Sequence, residues 1–332
     1  HVTNPNKSDS DDDGFSDSLE ISEGTDPNNG ADYPLGALPF KLNEILARND
    51  TDIKDGFGNR EDWIEIYNPN ATPTTLAGYY LTDDASDPAK WAFPSIVIPS
   101  GGYLLVFASG KDLVDPDGNP HCNFSLSADG EYLAIVRPNG STIDDFFGVS
   151  FPEQFTDISY GRHPSSGVLQ FYDTTTPDGA NGATGYPGVV KDTNFSDDRG
   201  MYSTPFQLML STDTMGATIR YTTDGSRPTM SSGMIYNPAS PIDITTTTTV
   251  RASAYKSGLL PTNVDTHSYI FLDDVAQQPS NPPGWPTDWT GGVPSDYEMD
   301  PRVVNDDNGL GVYTVPEALF DLPTVSISME LD

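Results

Sequence analysis

The chain has 332 residues, enough for two or three domains at roughly 150 residues each, and carries 16 Lys and Arg against 49 Asp and Glu, a net charge of −33. A field of that sign repels phosphate backbones and anionic lipid, which argues against nucleic acid and membrane surfaces as partners and makes divalent cations natural counter-ions. With 36% hydrophobic residues, 30 Gly and 29 Pro, short strands and many turns are expected rather than long helices.

Cys122 is the single cysteine, so an internal disulfide is impossible, and its expected role is that of a small core residue. No run reaches the about 18 apolar residues of a membrane-spanning helix. Residue 1 is His and no export signal is visible. The sequence is therefore expected to be a mature or trimmed product, extracellular or at the cell surface, braced by metal rather than by sulfur.

The first element is acidic. Counted from Asp9, the stretch SDSDDDGFSDSLE (8–20) places Asp9, Asp11, Asp13, Asp17 and Glu20 at positions 1, 3, 5, 9 and 12 of an EF-hand calcium loop. Gly14 falls sixth, where that loop turns sharply, and Phe15 seventh, where a backbone carbonyl is the ligand. A solvated acidic run has the same charge but no reason to place these residues so. An echo flanks the loop, TNPNKSD at 3–9 and TDPNNGAD at 25–32. This repeat of about 22 residues with an aspartate-rich centre resembles thrombospondin type 3 repeats. The resemblance implies Ca2+ wrapped by Asp side chains over little apolar core, usually with more than one ion. Asp26, Asn28 and Asp32 are then candidate ligands of a second, incomplete site. An Asx-turn at Asp26 explains the turn there, though not the echo. The calcium-binding segment is bounded at 1–33.

Residues 38–181 alternate between apolar runs and Pro, Gly or Asn turns: WIEIYNP (63–69), YYLTDD (79–84), SIVIPSGGYLLVFAS (95–109), EYLAIV (131–136) and STIDDF (141–146). Short strands at such intervals predict a β-sandwich. LNEILARN, DWIEIYNP, LAGYYLTDD, KWAFP, IPSGGYLLVFASGK, FSLSADGEYLAIV and SYGR, in this order, resemble a bacterial lamin-tail domain, which implies an immunoglobulin-like sandwich. The pairs Asp83–Asp84 and Asp144–Asp145 are expected to cap turns or hold a peripheral cation. Arg162 and His163 are expected to satisfy loop carbonyls.

Residues 182–200, rich in Gly, Asp and turn formers, read as a linker. From 201 to 272, ATIRYTTDGSRPT (217–229), TTTTTVRASAYKSG (245–258) and THSYIF (266–271) are β-rich, with turns at Asp224–Gly225 and Ser257–Gly258. The poly-Thr run 245–249 is expected as an exposed strand. This stretch resembles the β-sandwich at the C-terminus of chitobiase and hexosaminidase-type proteins, fibronectin-like and without catalytic residues.

Residues 273–332 are expected as an extended Pro/Gly-rich tail anchored over a surface by Trp285, Trp289 and Tyr297. PEALFDLP (316–323) predicts a short helix with Pro316 in its first turn. At the end Val325, Ile327, Met329 and Leu331 alternate with Ser326, Ser328 and Glu330, a strand with one apolar face. The whole order, through DYEMDPRVVND and EALFDLPTVSI, resembles the N-terminal region of secreted proteins with a CotH-type kinase-like domain. The ATP-binding and catalytic parts of that family are expected to lie outside this sequence.

The fold class predicted is mainly β: two immunoglobulin/fibronectin-like sandwiches in tandem, an N-terminal calcium-binding loop segment and an extended C-terminal tail. The histidines, His1, His121, His163 and His267, show no HExxH spacing, and neither a GxSxG elbow nor a phosphate-cradling GxxxxGK[ST] loop occurs. These absences point to a non-catalytic role. The leading expectation is a Ca2+-braced structural protein that assembles with copies of itself through strand 324–331, added to a sheet edge. The alternatives are a carbohydrate-binding or adhesive module of the cell surface, in which Trp91, Trp285 or Trp289 stacks on sugar, and a truncated non-catalytic region of a CotH-type protein.

Overall fold

Alternating apolar and polar side chains, broken every few residues by a turn former, give the short strands that dominate the computed structural model. It describes residues 3–4, 7–11, 16–23, 25–29, 39–289, 291–305, 314–321, 323 and 325. The chain divides into two units, His1–Gly188 and Val189–Asp332. The protein is mainly β, with a β-sandwich in each unit.

In the first unit one sheet runs in the order Leu169–Tyr172, Ser159–Arg162, Lys41–Leu46, Trp63–Tyr67, Tyr103–Phe107, Pro120–His121, Leu113–Val114. A second runs Ile143–Phe146, Ala134–Val136, Tyr80–Thr82, Trp91–Ala92. The core lies between them: Leu42, Ile45, Ile64, Ile66 and Val106 from the first meet Leu81, Trp91 and Ile135 from the second. Each such buried side chain contributes about 1.5–3 kcal/mol. Cys122 belongs to this core; burial pushes its thiol up to about 12, and Sγ donates to the Phe124 carbonyl at 3.3 Å.

One irregularity decides which way the side chains of strand Lys41–Leu46 point. Leu42 pairs with Ile66, yet Glu44 pairs with Glu65, so Asn43 is the extra residue of a β-bulge. Strict alternation would put Leu42 and Glu44 on the same face. The bulge instead sends Leu42 and Ile45 into the core and turns Glu44 to the opposite face beside Glu65. That second face is also covered, with Leu46, Trp63, Leu105 and Phe107 forming a smaller apolar cluster under Ile53.

In the second unit the sheet order is Gly200–Tyr202, Asp265–Phe271, Thr248–Tyr255, Thr218–Thr222, Met234–Ile235. Phe206–Leu208 pairs with Ile242–Ile244, and Asn194–Phe195 with Leu210–Ser211. Val190, Leu208, Ile219, Val250, Ala252 and Tyr269 lie in its core. Gly225 and Gly258 take the positive φ that their expected turns require.

Three expectations change. The stretch 182–200 is not a free linker: Tyr186 exchanges backbone hydrogen bonds with Phe171, Val190 is fully buried, and Gly200–Tyr202 pairs in parallel with Asp265–Phe271. The poly-Thr run is not one strand, because Thr245 lies outside any strand and Thr246 and Thr247 form the bend that leads into the strand starting at Thr248. The tail is not uniformly extended: it holds helices Leu272–Ala276, Pro301–Val304 and Val315–Asp321 and a hairpin of Asp288–Trp289 with Val293–Pro294. Helix Val315–Asp321 starts as its sequence suggests. Thr314 Oγ1 accepts from the Glu317 amide at 3.4 Å while Glu317 Oε2 accepts from the Thr314 amide at 2.8 Å, a reciprocal capping box. The terminal strand 324–331 lies outside the described residues except Val325, which is exposed.

Candidate functional site

In the acidic N-terminal segment, Asp17 and Glu20 stand in the first turn of helix Asp17–Glu23, where carboxylates complement the helix dipole. Glu20 is fully buried, and Thr25 closes the helix by donating its amide to the Glu20 carbonyl at 2.9 Å. Asp17 folds back on the loop: Oδ1 accepts from the Ser10 amide at 2.6 Å and Oδ2 from the Ser10 hydroxyl at 2.8 Å. One carboxylate oxygen each of Asp9 and Asp11, and both of Glu20, are shut off from solvent. Asp13, Phe15 and Asp32 lie outside the described residues. Asp26 Oδ1 accepts from the Asn28 amide at 3.2 Å and its carbonyl from the Asn29 amide at 2.9 Å, an Asx-turn. Among the described residues no three His, Cys, Asp or Glu converge as a metal cage.

The bulge at Asn43 builds a polar cluster that the sequence does not signal. Glu44 and Glu65, opposed in register, are both fully buried. Glu65 Oε1 accepts from Asn43 Nδ2 at 2.7 Å, and Oε2 from the Asp178 amide. Glu44 Oε2 accepts from the Thr176 amide at 3.1 Å and the Thr176 hydroxyl at 2.9 Å, and Oε1 from the Ser159 hydroxyl. Asn181 ties the group together, accepting from Thr176 Oγ1 at 3.0 Å and donating to the Asn43 carbonyl at 3.1 Å. Burial, reinforced by the facing Glu44 charge, pushes Glu65 up to about 8, and burial raises Glu44 too. The arrangement clips segment 176–181 onto the sheet.

Elsewhere Ser109, His121 and Asp115 meet in the order of a hydrolase triad. Ser109 Oγ is 2.7 Å from His121 Nδ1, but His121 Nε2 is 3.6 Å from Asp115 Oδ2, too far for a hydrogen bond. Asp115 is already engaged by the amides of Gly56, Asp117 and Asn119, at 2.7, 3.0 and 2.8 Å. The imidazole is fully buried beside Phe107, with ring centroids 5.0 Å apart. This trio pins two loops; its aspartate is not placed to orient a base.

The acid pairs that the sequence marks make structural contacts. Asp84 Oδ1 caps its turn through the Ser86 amide at 2.8 Å. Asp144 and Asp145 cap no turn; they cross between strands, Asp144 to Arg137 Nε at 2.8 Å and the Phe40 amide at 2.6 Å, Asp145 to the Leu42 amide at 2.9 Å and to Arg162 at 3.0 Å. His163 Nε2 lies 3.1 Å from the Ala183 carbonyl, the loop contact expected of it, whereas Arg162 Nε donates at 3.0 Å to the carbonyl of Leu42 within strand Lys41–Leu46 and its Nη1 reaches the loop carbonyl of Gly167 only at 3.5 Å. Trp91 is buried in the core with Nε1 donating to Asp112 at 2.9 Å, so it is closed to a sugar. Trp285 and Trp289 are the reverse. Rather than anchoring a tail, both are exposed and touch Tyr297.

Two family models match the chain. That of a Lamin Tail Domain matches residues 41–149, and that of a Chitobiase/beta-hexosaminidase C-terminal domain matches residues 198–266. Both are non-catalytic β-sandwich modules, the second associated with carbohydrate-active enzymes. No curated protein and no solved structure matches. No helix among the described residues is long and apolar enough to cross a membrane.

Proposed function

We propose that this chain is a non-catalytic extracellular scaffold, stiffened at its N-terminal segment by Ca2+, whose two sandwiches serve recognition and assembly. The observation that carries the calcium reading is the placement of Asp17 and Glu20. Loop positions 9 and 12 open the helix after the acidic run, as in a helix–loop–helix calcium site, with the Glu20 carboxylate buried. Asp9, Asp11, Asp13, the Phe15 carbonyl, Asp17 and Glu20 are the proposed ligands of one ion, with Asp26, Asn28 and Asp32 around a second.

At the affinity of extracellular modules, roughly 10⁻⁴–10⁻³ M, millimolar Ca2+ contributes only about 0.5–1.5 kcal/mol per ion. That is small for a sandwich but decisive for a segment so poor in apolar side chains. Limited proteolysis with and without a chelator is the test. Cleavage within 1–33 accelerates when Ca2+ is removed, Glu20→Gln mimics the chelator, and both sandwiches stay protected. Equal cleavage rates in the two conditions overturn the calcium reading.

Association of copies is the second reading. It is supported by the apolar alternation of residues 325–331 and by the edge strand Met234–Ile235, whose side chains are both exposed and whose outer side no strand among the described residues pairs. The likeness of 1–33 to thrombospondin type 3 repeats and of the chain's order to the N-terminal region of secreted CotH-type proteins supports an exported setting.

A further inference from the structure

The stretch between helix Leu272–Ala276 and helix Pro301–Val304 leaves two tryptophans uncovered. Trp285 is 62% exposed and Trp289 is 47% exposed. Both lean on Tyr297, with ring centroids 5.5 and 5.2 Å away and planes inclined at 60° and 47°. Inclined contacts of this kind fix an aromatic ring without covering its faces.

The backbone beneath them is tied down. Asp288 pairs with Pro294 and Trp289 with Val293. Ser295, itself buried, donates its amide to the Thr287 carbonyl at 2.9 Å and its hydroxyl to the Pro286 carbonyl at 2.6 Å. The Tyr297 amide donates to the Ser280 carbonyl at 3.1 Å, and the Tyr297 carbonyl accepts from Gln278 Nε2 at 2.9 Å. Trp289 thus sits on a fastened hairpin and Trp285 in the turn just before it, where its amide donates to the Pro282 carbonyl at 3.2 Å, and both indoles are displayed to solvent, where large apolar surface is ordinarily reserved for binding.

We propose that Trp285, Trp289 and Tyr297 form a binding platform for a polysaccharide of uncharged or amine-bearing pyranose rings. This deepens, and rests on, the reading of the chain as a non-catalytic binding scaffold. An indole offers a flat apolar face with negative charge density above it, matched to the C–H faces of a pyranose and to an ammonium group. Two such faces inclined about one tyrosine suit neighbouring rings of an oligosaccharide better than a single sugar. The charged side chains alongside are Asp288, Asp296 and Glu298, all exposed. They accept hydrogen bonds from sugar hydroxyls or amines and repel carboxylated, sulfated or phosphorylated glycans. The rim carries acids and one exposed apolar side chain, Val293, which pairs with Trp289, with Gly291 and Gly292 at the turn; the acids favour hydroxyl- and amine-bearing rings over the apolar core that a protein interface buries.

The test is co-sedimentation of the full chain with chitin, chitosan, cellulose and, as the polyanion, insoluble calcium alginate. Retention is expected on at least one of the first three and not on alginate. Chitosan retention that falls with salt assigns the amine-bearing class, and salt-insensitive retention on chitin or cellulose the uncharged one. Trp285→Ala and Trp289→Ala each weaken retention by roughly tenfold, the double variant abolishes it, and the Phe replacements restore part of it. No retention on any neutral or amine-bearing polymer, preference for alginate, or undiminished retention by the double alanine variant overturns the proposal. The chelator-dependent proteolysis of residues 1–33 is read in the same samples. A lost platform with an intact calcium response defeats this site alone, whereas a missing calcium response strikes the scaffold reading itself.

Discussion

At Glu65 the fold sets burial against charge. The carboxyl has no route to water, and the charge facing it is of its own sign, Glu44 opposite in register. A carboxyl that titrates near 4.5 when free and at about 8 in the folded chain keeps a proton that the unfolded chain has released. Its contribution to stability is therefore complete below pH about 4.5 and is lost as pH rises through about 8, a swing of at most about 5 kcal/mol. We expect the melting temperature of the first sandwich to fall as pH is raised through that window. Glu65→Gln keeps one oxygen for Asn43 without a titrating proton, so it should flatten the slope. Calorimetry across the window decides: identical slopes in the two proteins would show that Glu65 holds no extra proton. General relief of charge repulsion at low pH affects both proteins alike, which is why the comparison isolates this residue.

At the scale of the element, the cluster depends on how closely two strands approach. Gly161 pairs with Glu44, and a Cβ built on it would overlap the Asn43 carbonyl and the Asn181 amide. Gly161→Ala must therefore push the bulge or the 176–181 segment outward, at a cost of about 1–3 kcal/mol. Gly182→Ala is the control, because its Cβ would meet its nearest neighbour at 3.8 Å, an ordinary contact. Urea midpoints of the two variants should separate clearly; coincident midpoints would mean that the strands yield freely. The strands themselves were legible, WIEIY by its alternation and YLLVF by an unbroken apolar run that is buried on both faces, and the matched families span 41–149 and 198–266. The glutamate pair was not. Nothing local marks Asn43 as a bulge, and the partner Thr176 lies 132 residues from Glu44 in sequence. Segment 189–200 hid its strands for a related reason: its few apolar residues, Val189, Val190 and Phe195, are diluted among polar residues and turn formers and gain meaning only from long-range pairing. In the tail, composition suggested aromatic anchors because exposure cannot be read from residue type. The helix at 315–321 was legible because its cap is written in adjacent residues, Thr314, Pro316 and Glu317.

For the whole molecule the governing quantity is the net charge of −33, which keeps copies apart unless cations screen it. Any assembly therefore needs both a specific contact and a counter-ion, and the chain supplies a candidate for each. In sequence, Val325, Ile327, Met329 and Leu331 alternate with polar residues, which as a strand would give one apolar face, and Met234–Ile235 offers an edge with exposed side chains. Adding one to the other in a neighbouring copy is a head-to-tail contact, which propagates into a filament unless the rotation closes it into a ring. We expect negative-stain images of the full chain to show filaments or rings in millimolar Ca2+ and dispersed particles in chelator. Removal of 324–332 should abolish them, and so should Ile235→Lys, which places a charge on the receiving edge without touching the donor. Assemblies that survive the deletion would retire the donor strand, and assemblies that survive only the edge substitution would move the acceptor to another edge. A chain that stays monomeric in Ca2+ would leave the sandwiches as recognition modules and remove assembly from the function.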